Sequence, residues 1–265
     1  MIQIFNYGQV DREKIFARVS PEMDVEAIVS QIIADVRKGR DQAVIEYCRR
    51  FDRVDLRTLE VTREEIEEAK TQVTPEFLEI LQKAAANIRN YHQMQVCTGF
   101  EMEKDGIILG QKVTPIENVG IYVPGGTAAY PSTVLMDTIP AKIAGCKQIV
   151  MVTPPGKDGK VNPAILAAAD VAGVDRIFKV GGAQAVAALA YGTESIPQVD
   201  KIVGPGNAFV AEAKKQVFGR VAIDMIAGPM ILHYVFIFAN SPYFIAFFFF
   251  ILHHSIFCDI FDSFC

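Results

Sequence analysis

Three polar residues of this chain stand beside glycine turns. Tyr122 precedes Pro124-Gly125-Gly126, Gln184 follows Gly181-Gly182-Ala183, and Asn207 follows Gly204-Pro205-Gly206. A phenol ring can stack on a base or a ribose, and a side-chain amide both donates and accepts, which suits ribose hydroxyls or another carboxamide. Glycine turns that open helices add unpaired backbone N–H groups, backed by the helix dipole, as a seat for an anion such as a pyrophosphate. The chemistry on offer is that of holding a nucleotide-type ligand. Each residue also has a plainer reading: strand packing for Tyr122, helix capping for Gln184 and Asn207. Taken alone, the residues leave both open.

The usual parts of a catalytic site are sparse. The four histidines are His92, His233, His253 and His254. His92 falls within a helical pattern and reads as a surface or packed residue. The adjacent pair His253-His254 has no partner three or four residues away, so it does not form a metal site. Five cysteines, Cys48, Cys97, Cys146, Cys258 and Cys265, form no Cys-x-x-Cys pair, which argues against a disulfide framework or zinc knuckle. Cys146 precedes an apolar run and reads as a small core residue, since a catalytic thiol needs an electropositive, accessible setting.

The elements that must carry the polar residues follow from periodicity. Residues 24–40 place Ile28, Ile32, Ile33 and Val36 on one helical face, with Gly39 as the stop. Asp41 is expected to cap a second helix through Phe51 that buries Val44, Ile45 and Cys48. Thr62 followed by Glu65 reads as a capping box, and Thr74-Pro75 opens a further helix to about Val96. Asp105-Gly106 between two short β-like runs predicts a tight hairpin across residues 100–113. From Val119 onward, β-rich runs alternate with helical runs four times, and a fifth strand begins at Ala222. That alternation predicts a parallel α/β sheet whose turns share the carboxyl edge, where small ligands bind.

Bulk composition narrows the class. Lys and Arg number 26 against 31 Asp and Glu, interspersed, with no basic stripe to suggest nucleic acid. Met1 to Phe5 shows no basic segment leading into a long apolar one, so no secretory signal is expected and the cytoplasm is the expected compartment. After Pro229 the composition breaks. Residues 230–265 hold no Lys or Arg, only Asp259 and Asp262 as charges, and ten of the 18 phenylalanines.

The residues from Val119 to Gly126, Ser132 to Met136, Pro140 to Cys146, Val180 to Ala185, Ala190 to Ser195, Val199 to Ile202 and Gly204 to Val210 resemble histidinol dehydrogenase in order, spacing and loop identity. The resemblance continues through Ile223-Asp224-Met225 and Ala227-Gly228-Pro229, and the helical first hundred residues are compatible with it. It implies oxidation of L-histidinol to L-histidine through the aldehyde, with two NAD and a zinc ion, in a homodimer of two incomplete Rossmann-like domains related to aldehyde dehydrogenases. The residues that match the family's NAD contacts are Tyr122, Gln184 and Asn207. The serine that follows Ala-Gly-Pro in the family is Met230 here, and the family's Gln-x-x-His, Glu-His and zinc ligands have no counterpart in residues 230–265.

The expected organisation is therefore a helical region with hairpin over 1–117, a Rossmann-like NAD-binding domain over 118–229, and an aberrant hydrophobic tail over 230–265. Without a Lewis acid or a base, the chain is expected to be inactive alone. The uncharged run Ile231–Leu252 is 22 residues long. It reads either as non-native sequence, from a frameshift or read-through, or as a membrane or partner-binding segment on a nucleotide-binding fold. An aldehyde-dehydrogenase-like enzyme would need a nucleophilic cysteine in a motif that Cys258 and Cys265 lack.

Overall fold

The computed structural model describes residues 25–125 and 129–225. The tail beyond Met225, with His233, His253, His254 and the 231–252 run, lies outside the described residues. So do the first 24 residues.

Helix α1 (Val25–Tyr47) opens the described chain, kinks at Arg40 (φ 51°, ψ −133°), and runs into a π-helix at Cys48–Asp52. Arg40, not Gly39, takes the left-handed backbone. Asp41 does not cap. Its carboxylate accepts from the Ser195 backbone N–H at 3.3 Å and hydroxyl at 2.5 Å, and its own N–H donates to Glu194 at 3.0 Å. A contact over 150 residues distant thus overrides the local rule. The buried face of α1 also differs by one position: Ile28 is 44% exposed, while Val29 is fully buried beside Ile32, Ile33 and Val36.

Helix α2 (Arg63–Thr71) carries the expected capping box, with Thr62 Oγ1 accepting from Glu65 N–H and Glu65 accepting from Thr62 N–H at 2.8 Å. Helix α3 (Pro75–Gln93) is capped by Thr74, with proline in its first turn. Strands β1 (Phe100–Lys104) and β2 (Ile107–Gln111) pair antiparallel around Asp105 (φ 52°) and Gly106 (φ 77°). Two consecutive positive φ values are what a two-residue hairpin turn needs.

Strands β3 (Asn118–Tyr122), β4 (Gln148–Thr153), β5 (Arg176–Lys179), β6 (Lys201–Val203) and β7 (Ala222–Ile223) form one parallel sheet in the order β5-β4-β3-β6-β7. The crossovers are α4 (Pro131–Ala144), α5 (Pro163–Ala172), α6 (Gly182–Tyr191) and α7 (Ala208–Val217). The chain winds outward from β3 to β5, then returns to lay β6 against the other side of β3. The strand order therefore reverses between β3 and β6.

Alternation along the strands feeds two apolar layers. Val119, Ile121, Ile149, Met151 and Ile177 pack with α4 and α5 and with residues of α2 and α3. Tyr122, Val150, Val152, Phe178 and Ile202 pack with α6, α7 and α1. Helix α6 approaches β3 so closely that a Cβ on Gly120 would stand 2.9 Å from Leu189 Cδ1 and 3.0 Å from Val199 Cγ2. At the end of β5, Lys179 is buried and pairs with Glu65 at 3.0 Å, so the capping carboxylate of α2 also ties that helix to the sheet.

Candidate functional site

Because all five strands are parallel, the segments after β3, β4, β5 and β6 lie along one edge. They interlock there. A Cβ on Gly125 would stand 2.6 Å from Pro154 Cγ, and one on Gly181 would stand 2.7 Å from Pro154 Cβ. The Pro154 ring thus wedges between the turns that follow β3 and β5.

Two of the three sequence-derived residues converge on the Gly181-Gly182 turn. The Tyr122 hydroxyl accepts the Gly182 N–H at 3.0 Å and so occupies one of the donors at the start of α6. Its ring is only 4% exposed, so it offers no open stacking face; burial raises its pKa. Gln184 is 1% exposed, and its Oε1 has no hydrogen-bond partner among the described residues. Gly182 has φ +67°, and a Cβ on it would stand 2.6 Å from that oxygen. The position therefore suits only glycine. Asn207 lies on the far side of β3, exposed, and its Oδ1 caps α7 by accepting from Phe209 and Val210 N–H at 3.0 and 3.1 Å.

A cleft of about 270 Å³ opens at the same edge, between α2 and the β4–α5 segment. Its lining includes Glu65, Glu68, Gly125, Pro154 and Asn162, with Lys160 bound to Glu68 at 2.7 Å. Tyr122, Gln184 and Asn207 do not line it. Its size suits one ring system of a ligand rather than a whole dinucleotide.

Beside the strand-order reversal lies a buried ionic group. Lys214 Nζ reaches the Gly204 carbonyl at 3.0 Å and pairs with Asp224, while Asp224 Oδ2 accepts the Gly204 N–H at 2.9 Å. Asp137 of α4 is fully buried, and its pKa is pushed up to about 8, first by burial and then by the Asp224 charge, against an opposing pull from Lys214. Its Oδ2 and the Thr138 Oγ1 have no partner among the described residues. Sequence reasoning missed Asp137; the available signal was a lone acid inside the apolar helix 131–144. It also missed Asp52, at the end of the π-helix, whose Oδ2 is likewise buried and unpartnered.

The remaining titratable candidates are packed groups. His92 is fully buried with its pKa lowered by desolvation, and Nδ1 lies 2.5 Å from Gln95 Oε1. Burial pushes the Cys48 thiol up to about 12, and Cys146 is buried. Among the described residues no three His, Cys, Asp or Glu side chains gather as metal ligands. No described helix is long and apolar enough to cross a membrane.

Comparison with known proteins decides the family. The family model described as histidinol dehydrogenase matches residues 17–246. The chain belongs to the histidinol dehydrogenase family. It is 51% identical over 252 residues to a histidinol dehydrogenase of Clostridium acetobutylicum, covering 93% of this chain and 58% of that relative. A Geobacillus kaustophilus histidinol dehydrogenase is 60% identical over 202 residues, covering 76% of this chain and 48% of the relative. The crystal structure of histidinol dehydrogenase from Elizabethkingia anophelis aligns with TM-score 0.77 and 42% identity over 80% of this chain and 49% of that one. The chain thus spans about half the length of the histidinol dehydrogenases it matches. The family match takes in the helical region as well as the sheet and runs past Pro229.

Proposed function

We propose that this chain supplies the dinucleotide-holding part of a histidinol dehydrogenase, which oxidises L-histidinol to L-histidine with NAD. The observation that carries this reading is the Gly181-Gly182 turn. There a helix N-terminus, the Tyr122 hydroxyl and the buried, unsatisfied Gln184 Oε1 meet at the carboxyl edge of a parallel sheet, beside a reversal of strand order. An acceptor buried without a donor is costly, and a ligand that supplies the donor recovers that cost.

Tyr122 and Gln184 would hold one part of NAD, and Asn207 the part on the other side of β3. The cofactor, when bound, supplies the hydride acceptor. Tyr122 keeps Gly182 oriented and Gln184 presents its carbonyl oxygen. The described residues do not fit a zinc site. The family's Gln-x-x-His, Glu-His and zinc ligands have no counterpart in residues 230–265. The chain by itself is therefore expected to bind NAD without turning over histidinol. The parts 1–117 and 118–229 are proposed as the incomplete first domain and the cofactor-binding domain. A homodimer, a cytoplasmic location and histidinol as the substrate partner are proposed on family membership.

Calorimetric titration of the full chain with NAD tests this reading. Binding that weakens about tenfold in Gln184→Leu supports it, since a charge-free hydrogen bond in a buried site is worth roughly 1 kcal/mol or somewhat more. No heat of binding at millimolar NAD overturns it.

A further inference from the structure

At the amino edge of the sheet, opposite the glycine turns, the segments that lead into β6 and β7 border an open groove of about 310 Å³. Gln198, Asp200, Phe218 and Arg220 give it its chemistry. Arg220 is held in place from behind. Its guanidinium stacks 5.8 Å from the centre of the Tyr191 ring, at the end of α6, and donates from Nη2 to Gln198 Oε1 at 3.3 Å. Arg37 of α1 stacks on the same ring at 4.8 Å. The arginine ion pairs of the described residues belong to Arg40, Arg49, Arg63 and Arg176, not to these two. A guanidinium that stacks spends its face and keeps its in-plane N–H fork for a carboxylate. Asp200 brings the opposite charge to the groove. Its Oδ2 accepts from the Asn118 backbone N–H at 2.9 Å and from Asn118 Nδ2 at 3.1 Å, which leaves Oδ1 for another donor. Asp200 and Arg220 therefore line one groove without pairing with each other. The Phe218 ring, 63% exposed, adds an apolar wall.

We propose that this groove binds an α-amino acid with a flat side chain, its carboxylate on Arg220, its ammonium on Asp200 and its ring against Phe218. The site lies on the other edge of the sheet from the dinucleotide reading and does not depend on it. Two opposite charges fixed in one groove, and too far apart to meet, leave room for a ligand that carries both. An α-amino acid holds an ammonium and a carboxylate on one carbon. A simple anion such as phosphate gains from Arg220 and Arg37 but faces the Asp200 carboxylate, and a simple cation meets the reverse. The zwitterion satisfies both walls at once. A planar ring gives Phe218 an offset-stacked or edge-on partner and takes its apolar surface from water. The Tyr191 stack and the Asn118 bonds hold both charged groups before a ligand arrives, so little ordering remains to be done on binding.

The test titrates the full chain by calorimetry, at one low ionic strength, with L-histidine, L-phenylalanine, histidinol, N-acetyl-L-histidine and inorganic phosphate. Histidinol lacks the carboxylate and N-acetyl-L-histidine lacks the ammonium. Both amino acids are expected to bind, and each single-charge analogue to bind at least about tenfold more weakly, a comparison that needs no variant. Arg220→Gln and Asp200→Asn are each expected to weaken L-histidine about tenfold and to leave the response to NAD unchanged. Asp200→Asn keeps an oxygen for Asn118 and serves where Arg220→Gln fails to fold by circular dichroism. No binding of either amino acid at millimolar concentration overturns the proposal, as does phosphate binding in their place. Equal binding of an amino acid and its single-charge analogues, or affinity unmoved by both substitutions, also overturns it. None of these results bears on the dinucleotide reading, which the NAD titration tests separately.

Discussion

The five-stranded sheet and the two-stranded ribbon of this molecule have equally regular backbone pairing and opposite surroundings. Val119, Ile121, Ile149 and Met151 are fully buried between helices. Every residue of β1 and β2 is exposed, although Phe100, Met102, Ile107 and Leu109 share one ribbon face and would make a respectable core. Hydrogen bonds between strands bring little net stability, because water offers the same bonds to the unfolded chain. What separates the two regions is apolar surface removed from water, and the ribbon removes almost none. A lone hairpin is marginal in water. The ribbon is a formed element whose cover is absent from the described residues.

The sharpest way to break this comparison is to cut the same kind of side chain in both regions. Phe178→Ala, at a fully buried position, is expected to lower unfolding free energy by about 3–5 kcal/mol in urea titrations. Leu109→Ala, at a position 58% exposed, should cost under about 0.5 kcal/mol. Equal losses would show that the ribbon is covered in solution.

A smaller effect tests the polar part of the sheet core. The Asp137 pKa is pushed up to about 8 from an ordinary 3.8, so the folded chain holds a proton that the unfolded chain releases. Stability from this group is full below about pH 4 and falls as pH climbs toward 8. Asp137→Asn removes that dependence and should stabilise the chain more at pH 8 than at pH 5. A variant less stable than its parent at pH 8 would mean that the carboxylate is paired after all.

Smaller still is the cap on α7. Asn207→Ala should cost about 1 kcal/mol, because Phe209 and Val210 lose their acceptor. Asn207→Asp keeps the capping oxygen and stays within about 0.5 kcal/mol, yet removes the amide donor. Weakened NAD binding in Asn207→Asp with unchanged stability would separate ligand contact from helix capping; unchanged binding would leave the cap as its only role. The smallest signal is amide exchange. The β1 and β2 amides should open at close to zero free energy, and those of β3 and β4 only with global unfolding.

Much of this architecture was legible from local chemistry. Thr62 with Glu65 and Asp105 with Gly106 each do what their types require within a few residues. The parallel sheet followed from alternating strand and helix patterns. What escaped depended on distant partners. Arg40 rather than Gly39 is left-handed where Glu194 and Ser195 engage the next residue, and Asp41 gives up its capping role to them. The π-turn at Cys48–Asp52 has no sequence signature, since the chain around it reads as ordinary helix. Asp137 and the Oδ2 of Asp52 escaped because burial belongs to the packed molecule, although Asp137 stands as a lone acid in an apolar helix. Of the three residues named from the turns, Tyr122 and Gln184 meet around Gly182, while Asn207 is placed by its capping bond on the other side of β3.

The Pro154 ring, in close contact with both Gly125 and Gly181, has a mechanical consequence. Densely packed atoms transmit displacement rather than absorb it. A molecule that presses on the turn after β5 therefore pushes, through one rigid pyrrolidine, on the turns after β4 and β3. The three tips would shift as a single jaw, and an occupant gripped by one would be registered by all.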